Sequence, residues 1–417
     1  MSLVQRLTGL QWRQQGPAVL VGMGHGATHW VMGTFYLLLP FIAKALQLSY
    51  TEVGLLVSTV HISSFATNIF SGALVDVTGR RVPILVASLT VGALALASFG
   101  MADGVLGLLP LVVLIGCTNN MWHPAAISYI SRRFPQQRGY ALSIHALGAN
   151  SGDALAPMAV GVALVWLSWP QAATAACVPT LAVALLLFLA LPRQSNSERA
   201  QSIAGEGMDL ATYFKGLTTL LCDRAVLSLC LVAALRTMTQ AGLLAFLPLY
   251  LANGLGAGPV MLGLALAAMQ SAGVVAAPVA GAWSDRVGRR PIVLAGLTAS
   301  TVVIAALMFL GHLATFVVGI AVLGFVLFAV RPVIHSWMMD LTPANLGGSA
   351  TSLMFGSQAM LATAAPIIGG MIADGWGLGA VFYFLAGGLL AANLALVLLP
   401  CLLYTSPSPR DLSTCRM

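Results

Sequence analysis

Residues 72–81 read Gly-Ala-Leu-Val-Asp-Val-Thr-Gly-Arg-Arg, and residues 281–290 read Gly-Ala-Trp-Ser-Asp-Arg-Val-Gly-Arg-Arg. The two stretches are 209 positions apart (281 − 72 = 209). The same offset carries Ser143 onto Ser352, Pro157 onto Pro366 and Gly161 onto Gly370. A register shared by a loop, a proline and a glycine marks a duplicated unit. Each copy of the loop lies between long apolar stretches, so the unit is helical and apolar on both sides of a short charged turn.

Working outward from the loops, twelve apolar stretches are long enough to cross about 30 Å of hydrocarbon, which takes roughly 20 helical residues. They cover residues 17–40, 50–74, 82–101, 105–131, 138–166, 170–191, 224–251, 258–283, 291–311, 313–340, 346–373 and 377–402. These runs are continuous, whereas barrel strands alternate over about ten residues. The expected fold is therefore an all-α membrane protein with twelve transmembrane helices in two six-helix pseudo-symmetric halves. The halves are expected at 1–191 and 224–402, joined by a polar cytoplasmic linker at 192–223. Residues 403–417 are Ser/Pro-rich, do not continue the last span, and read as a disordered, non-native tail.

Composition supports this. The chain has 417 residues, 59% hydrophobic and 7% charged. A soluble domain carries about a quarter charged residues, so water-soluble enzymes and nucleic-acid binders are excluded. The formal charge of +7 is a topology signal instead. With the N-terminus inside, 16 of the 19 Lys and Arg residues fall on the cytoplasmic side. Lys44 lies on the far side, and Arg236 and Arg331 fall within spans. The expected location is a bacterial cytoplasmic (inner) membrane, multi-pass, with both termini cytoplasmic. The six cysteines have no metal or disulfide spacing.

The loop sequence resembles that of the major facilitator superfamily, whose signature is Gly-x-x-x-Asp-(Arg/Lys)-x-Gly-(Arg/Lys)-(Arg/Lys). The second copy matches at Gly281, Asp285, Arg286, Gly288, Arg289 and Arg290; the first has Asp76, Gly79, Arg80 and Arg81 but Val77 at the first basic position. The resemblance implies that these loops latch the cytoplasmic face during alternating access. It also implies that spans 1, 4, 7 and 10 line a central cavity, and that spans 2, 5, 8 and 11 lie between the halves. Trp122-His123-Pro124-Ala125-Ala126 and the run from Ser143 to Pro157 resemble the fosmidomycin-resistance branch, a group of bacterial drug exporters. Span 5 keeps Gly152, Pro157 and Gly161 of the antiporter pattern Gly-x-x-x-Gly-Pro-x-x-Gly-Gly; Ala156 and Val160 replace two glycines.

Ionisable groups at mid-bilayer are costly and are functional candidates by default. Span 1 carries His25 and His29, four apart and so on one helical face. Span 4 carries Asn119, Asn120 and His123, and span 5 carries His145 and Asp153. Span 7 carries Arg236 and Gln240; span 10 carries Arg331 and His335. Asp153 is the acid nearest any span's midpoint, and its duplicate position is Ala362. Two roles stand open for it: a permanent ion pair with Arg236 or Arg331, or a proton carrier. His145 shares the proton-coupling role. Guanidinium forks match carboxylate, phosphate or phosphonate oxygens. Arg236 and Arg331 therefore point to an anionic substrate, with His25, His29, Asn119, Asn120, His123, Gln240 and His335 as further substrate contacts. His25-x-x-x-His29 also suits two metal ligands, but spacing fixes no third, and no metal site or cofactor is expected.

The expected function is secondary active transport: proton-coupled efflux of small organic anions or drugs by a monomer, with no enzymatic activity. No nucleotide loop of the Gly-x-x-x-x-Gly-Lys-(Ser/Thr) kind is present. Two other readings remain open at this point, an importer of a carboxylate or phosphorylated metabolite, and a non-transporting membrane sensor or scaffold.

Overall fold

The computed structural model describes residues 11–191, 218, 220–342 and 346–398. Most of the expected linker, and all of the expected tail, lie outside the described residues. Twelve long helices occur among the described residues: α1 (Trp12–Ala45), α2 (Tyr50–Thr78), α3 (Arg81–Ala97), α4 (Val105–Arg133), α5 (Arg138–Ala163), α6 (Trp169–Ala190), α7 (Arg224–Leu249), α8 (Pro259–Val287), α9 (Arg289–Leu307), α10 (Leu313–Leu341), α11 (Gly347–Trp376) and α12 (Leu378–Leu398). Each corresponds to one expected span. Eleven are long and apolar enough to cross a membrane. The twelfth is α5, whose Ser143, His145, Asn150, Ser151 and Asp153 dilute its apolar residues.

The ends follow local chemistry. Ser49 caps α2 and Ser168 caps α6, each in a reciprocal box with the residue three positions on, Glu52 and Gln171. Asp223 caps α7 by accepting from the amides of Ala225 and Val226. Both signature loops turn at a glycine of positive φ: Gly79 at φ 61° and Gly288 at φ 93°. Their ψ values differ. Gly79 has ψ 5°, in the left-handed helical region that asparagine tolerates. Gly288 has ψ 159°, in a region essentially reserved for glycine. Gly79→Asn is therefore expected to be nearly neutral, while Gly288→Asn loses about 1–3 kcal/mol. Thermal melting of the two variants in detergent checks this; equal melting temperatures would remove backbone conformation as the reason for the second loop's glycine.

The chain divides into two compact units. The first holds α1–α6 and also takes Leu251–Ser271, the first part of α8; the second holds α7 through Tyr250 and the chain from Ala272 onward. The head of α8 joins the first unit through small residues. A side chain at Gly161 would collide with the Pro259 carbonyl, and one at Gly263 with that of Pro157.

The first unit is built on the packing of α1 against α5. Side chains at Gly148 and Gly152 would fall on the carbonyl oxygens of Gly22 and Gly26. Backbones meet this closely in lipid only where both helices present small residues. An apolar core in the same unit includes Val21, Leu89, Trp122, Ile130 and Leu187. In the second unit α7 is the central element: Val226, Leu229, Leu243, Phe246 and Leu247 along it are all buried.

Candidate functional site

In the first unit the polar residues of α1, α4 and α5 converge. His25 and His29, one turn apart on α1, have ring centroids 4.8 Å apart. His123 reaches from α4 to 5.0 Å from His25, edge-on, and His145 from α5 stacks on His25 at 3.8 Å. His25 Nδ1 lies 2.8 Å from the carbonyl oxygen of His145. Trp122 donates its indole N–H to His145 Nε2 at 3.4 Å. Asp153 completes the group, with its Oδ2 2.9 Å from His29 Nδ1.

Asp153 has a partner on α1. The carboxylate pairs with His29, within its own unit. The pair is not sealed: the side chains of His29 and Asp153 retain 26% and 23% exposure. His25 is buried. Asn119 and Asn120 are half-buried on α4. Asn119 lines a small cavity with Thr28 and Thr118.

Proline shapes α4 and α10 at matching places. Pro124 follows His123 and Pro332 follows Arg331, both inside helices. Each removes an N–H and crowds the carbonyl four residues back, loosening that turn. In α10 the loosened turn contains Leu327 and Phe328, and there the second unit places Arg236. Its Nε and Nη2 donate to the Leu327 carbonyl at 3.2 and 3.1 Å, and Nη1 donates to Gln240 Oε1 at 2.6 Å. The guanidinium carbon lies 5.5 Å from the centroid of the Phe328 ring. Arg236 is 2% exposed.

A guanidinium has five N–H donors. Three are engaged here, all by neutral acceptors, so one N–H on each terminal nitrogen is left over, and among the described residues the positive charge meets no carboxylate. Arg331 is exposed on α10, and its charge acts on both Arg236 and His335. His335 packs its ring 5.3 Å from that of Phe355. The second unit therefore groups Arg236, Gln240, Arg331 and His335. It adds Gln358 on α11, which accepts from Thr237 at 3.0 Å. Gln358 carries no spacing signal and comes into view only through its neighbour.

The signature loops differ in their bonding. Arg289 donates to Asp285, to Ser284 Oγ at 2.7 Å and to Asp340 Oδ2 at 3.0 Å, joining the α8–α9 turn to the end of α10. Asp340 is absent from the signature, and no spacing in the sequence pointed to it. Arg290 donates to the carbonyls of Leu396 and Val397. Arg286 is exposed. In the first copy Arg81 is buried and donates to Ser128 Oγ at 2.6 Å. The amide of Arg80 donates to Thr78 Oγ1. The side chain of Asp76 lies outside the described residues.

The family model described as Major Facilitator Superfamily matches residues 21–250 and 229–414. The chain belongs to the major facilitator superfamily. Among curated proteins it is similar to an uncharacterized superfamily transporter, YfnC, of Bacillus subtilis (strain 168), with 24% identity over 352 residues, 83% of this chain and 84% of that one. It is also similar to a hexuronate transporter of the same organism, with 26% identity over 396 residues, 86% and 88% of the two chains. Among solved structures, an inward-facing, unoccupied bacterial homolog of the human lysosomal transporter Spinster matches with TM-score 0.75 and 15% identity, over 93% of this chain and 96% of that one. The nucleoside transporter NupG matches with TM-score 0.72 and 14% identity, over 91% and 98%. At such identities the structural matches establish the superfamily fold. Together with the family match, they make this chain a multi-pass membrane protein of a transporter family.

Proposed function

We propose that this chain is a proton-coupled secondary transporter that exports small organic anions or drugs by alternating access, acting as a monomer in a bacterial inner membrane. The observation that carries this reading is Arg236: a guanidinium 2% exposed inside an apolar helix, hydrogen-bonded among the described residues to the Leu327 carbonyl and Gln240. Burying a charge without a counter-ion is costly, and an anion with two oxygens fits the remaining fork. Arg331 adds a second positive charge on α10. The resemblance of residues 122–126 and 143–157 to fosmidomycin-resistance exporters favours a phosphonate-like or drug cargo. The termini are assigned to the cytoplasm, where sixteen of nineteen basic residues then lie. The Asp285–Arg289–Asp340 cluster and its counterpart around Asp76, Gly79, Arg80 and Arg81 serve as the cytoplasmic latch.

Coupling requires only that proton and substrate bind the two conformations with different affinities. In this reading the proton is held at Asp153 and its histidines, His145 included. A second reading, import of a carboxylate-bearing or phosphorylated metabolite, draws on the same arginines and on the similarity to a hexuronate transporter.

Proteoliposomes with an imposed pH gradient test both readings against phosphonates, hexuronates and hydrophobic drugs. Gradient-driven flux of an anion is the expected result, and its direction separates exporter from importer; no gradient-dependent flux of any anion would overturn the reading. Asp153→Asn is expected to lower gradient-driven flux by at least about tenfold while substrate exchange without a gradient persists. Full gradient dependence in that variant would move the proton to His145.

A further inference from the structure

We propose that His25, His29 and His123 form a binding site for one divalent first-row transition-metal ion of the zinc class. The inference goes beyond transport and does not depend on it. Sequence spacing offered only two imidazoles; the fold supplies the third from another helix. One ring nitrogen from each of the three lies within 4.8 Å of the others.

Hydrogen bonding fixes which nitrogens are available. A backbone carbonyl can only accept, so His25 Nδ1, 2.8 Å from the His145 oxygen, carries the ring hydrogen. Its lone pair is then on Nε2, which is buried and has no hydrogen-bond partner among the described residues. His29 follows the same pattern, because Asp153 accepts from Nδ1 and leaves Nε2 as the basic nitrogen. Metal-binding histidines characteristically donate their other nitrogen to a carbonyl or carboxylate, which sets the tautomer and raises ligand basicity. Here one histidine has each kind of partner.

A purely structural role explains these atoms less well. A buried acceptor left without a donor costs about 1–3 kcal/mol. The nearby indole N–H of Trp122 is directed to His145 and leaves His25 Nε2 unserved. A cation satisfies that lone pair directly. Imidazole donors suit zinc, copper or nickel over magnesium or calcium, which prefer oxygen. A tetrahedral ion with metal–nitrogen distances of about 2.0–2.1 Å holds its donors roughly 3.4 Å apart. Binding therefore requires the three rings to draw closer together. Three protein nitrogens leave a fourth position for water, consistent with the partial exposure of His29 and Asp153. Occupancy would join α1 to α4, since the ligands come from both helices. Asp153 acts here as a positioning residue for His29.

The test is metal binding by the full chain in detergent, with no polyhistidine tag. Equilibrium dialysis with Zn²⁺, followed by elemental analysis, is expected to give one ion per chain. Co²⁺ in its place is expected to give visible absorption bands of tetrahedral coordination. His29→Ala and His123→Ala should each weaken Zn²⁺ binding by roughly 100-fold or more and abolish the Co²⁺ bands. Asp153→Asn should keep the stoichiometry and weaken binding by about 10- to 100-fold. His312→Ala, outside the cluster, should bind as the parent does. Metal-free melting temperatures identify variants that fail to fold, and His123→Gln then replaces His123→Ala. Less than half an ion per chain, or equal affinity in the parent and the folded His123 variant, overturns the proposal. The readout is binding, so this result and the flux result fail independently.

Discussion

Arg236→Gln is expected to lower anion flux by roughly 30-fold or more. Removing one partner from a desolvated, hydrogen-bonded charge contact costs about 2–5 kcal/mol, and each 1.4 kcal/mol is tenfold in affinity. Glutamine offers one amide where the arginine offered a fork, and it carries no charge. Arg236→Lys separates these two losses. It keeps the charge, but an ammonium cannot donate simultaneously to Leu327, to Gln240 and to two oxygens of an anion in one plane. It is therefore expected to recover only a minor part of the flux. Initial rates in proteoliposomes at equal protein density measure both variants, with melting temperatures to confirm folding. Parental flux in a folded Arg236→Gln protein would reduce Arg236 to a brace between α7 and α10.

The second large effect is on stability. Gly148→Ala places a methyl group on the Gly22 carbonyl, and backbone cannot move aside as a side-chain tip can. The two helices must separate along the most intimate seam of the first unit. Overpacking a well-packed site costs about 1–3 kcal/mol, and a rigid backbone neighbour puts this substitution at the upper end. Gly356→Ala is the matched control: it is a helix-interior glycine with nothing within 4 Å of the added carbon. Its helix propensity gain of about 1 kcal/mol is expected to leave melting unchanged or raised. Equal melting of the two variants would show that α1 and α5 separate at little cost.

Most of the fold was legible in the chain itself. Hydrocarbon thickness sets the length of a spanning helix, so span number follows from counting apolar runs. Duplication of Gly-x-x-x-Asp-x-x-Gly-Arg-Arg revealed two halves. The span expected at 138–166 is the helix Arg138–Ala163, although its hydropathy falls short of the other eleven. The pairing of Arg236 with Gln240 was legible too, because residues four apart on a helix must be neighbours.

What the sequence left open involved contacts between helices. Asp153 was open to an arginine partner or a proton-carrier role, and no spacing pointed to a histidine; helix packing places it against His29. His25 and His29 announced their shared face, but nothing along the chain placed His123 and His145 beside them. Nor did spacing reveal that Leu327 would offer its carbonyl to Arg236, or that Asp340 would join Arg289. The sequence by itself determined the helices, their number, their duplication and the polar residues each one carries, since these follow from local periodicity and the cost of exposing polar groups to lipid. Only the tertiary structure decided which of those polar residues meet, because a partner on another helix depends on rotation, tilt and depth, and these are set by small-residue packing such as that of Gly148 on Gly22.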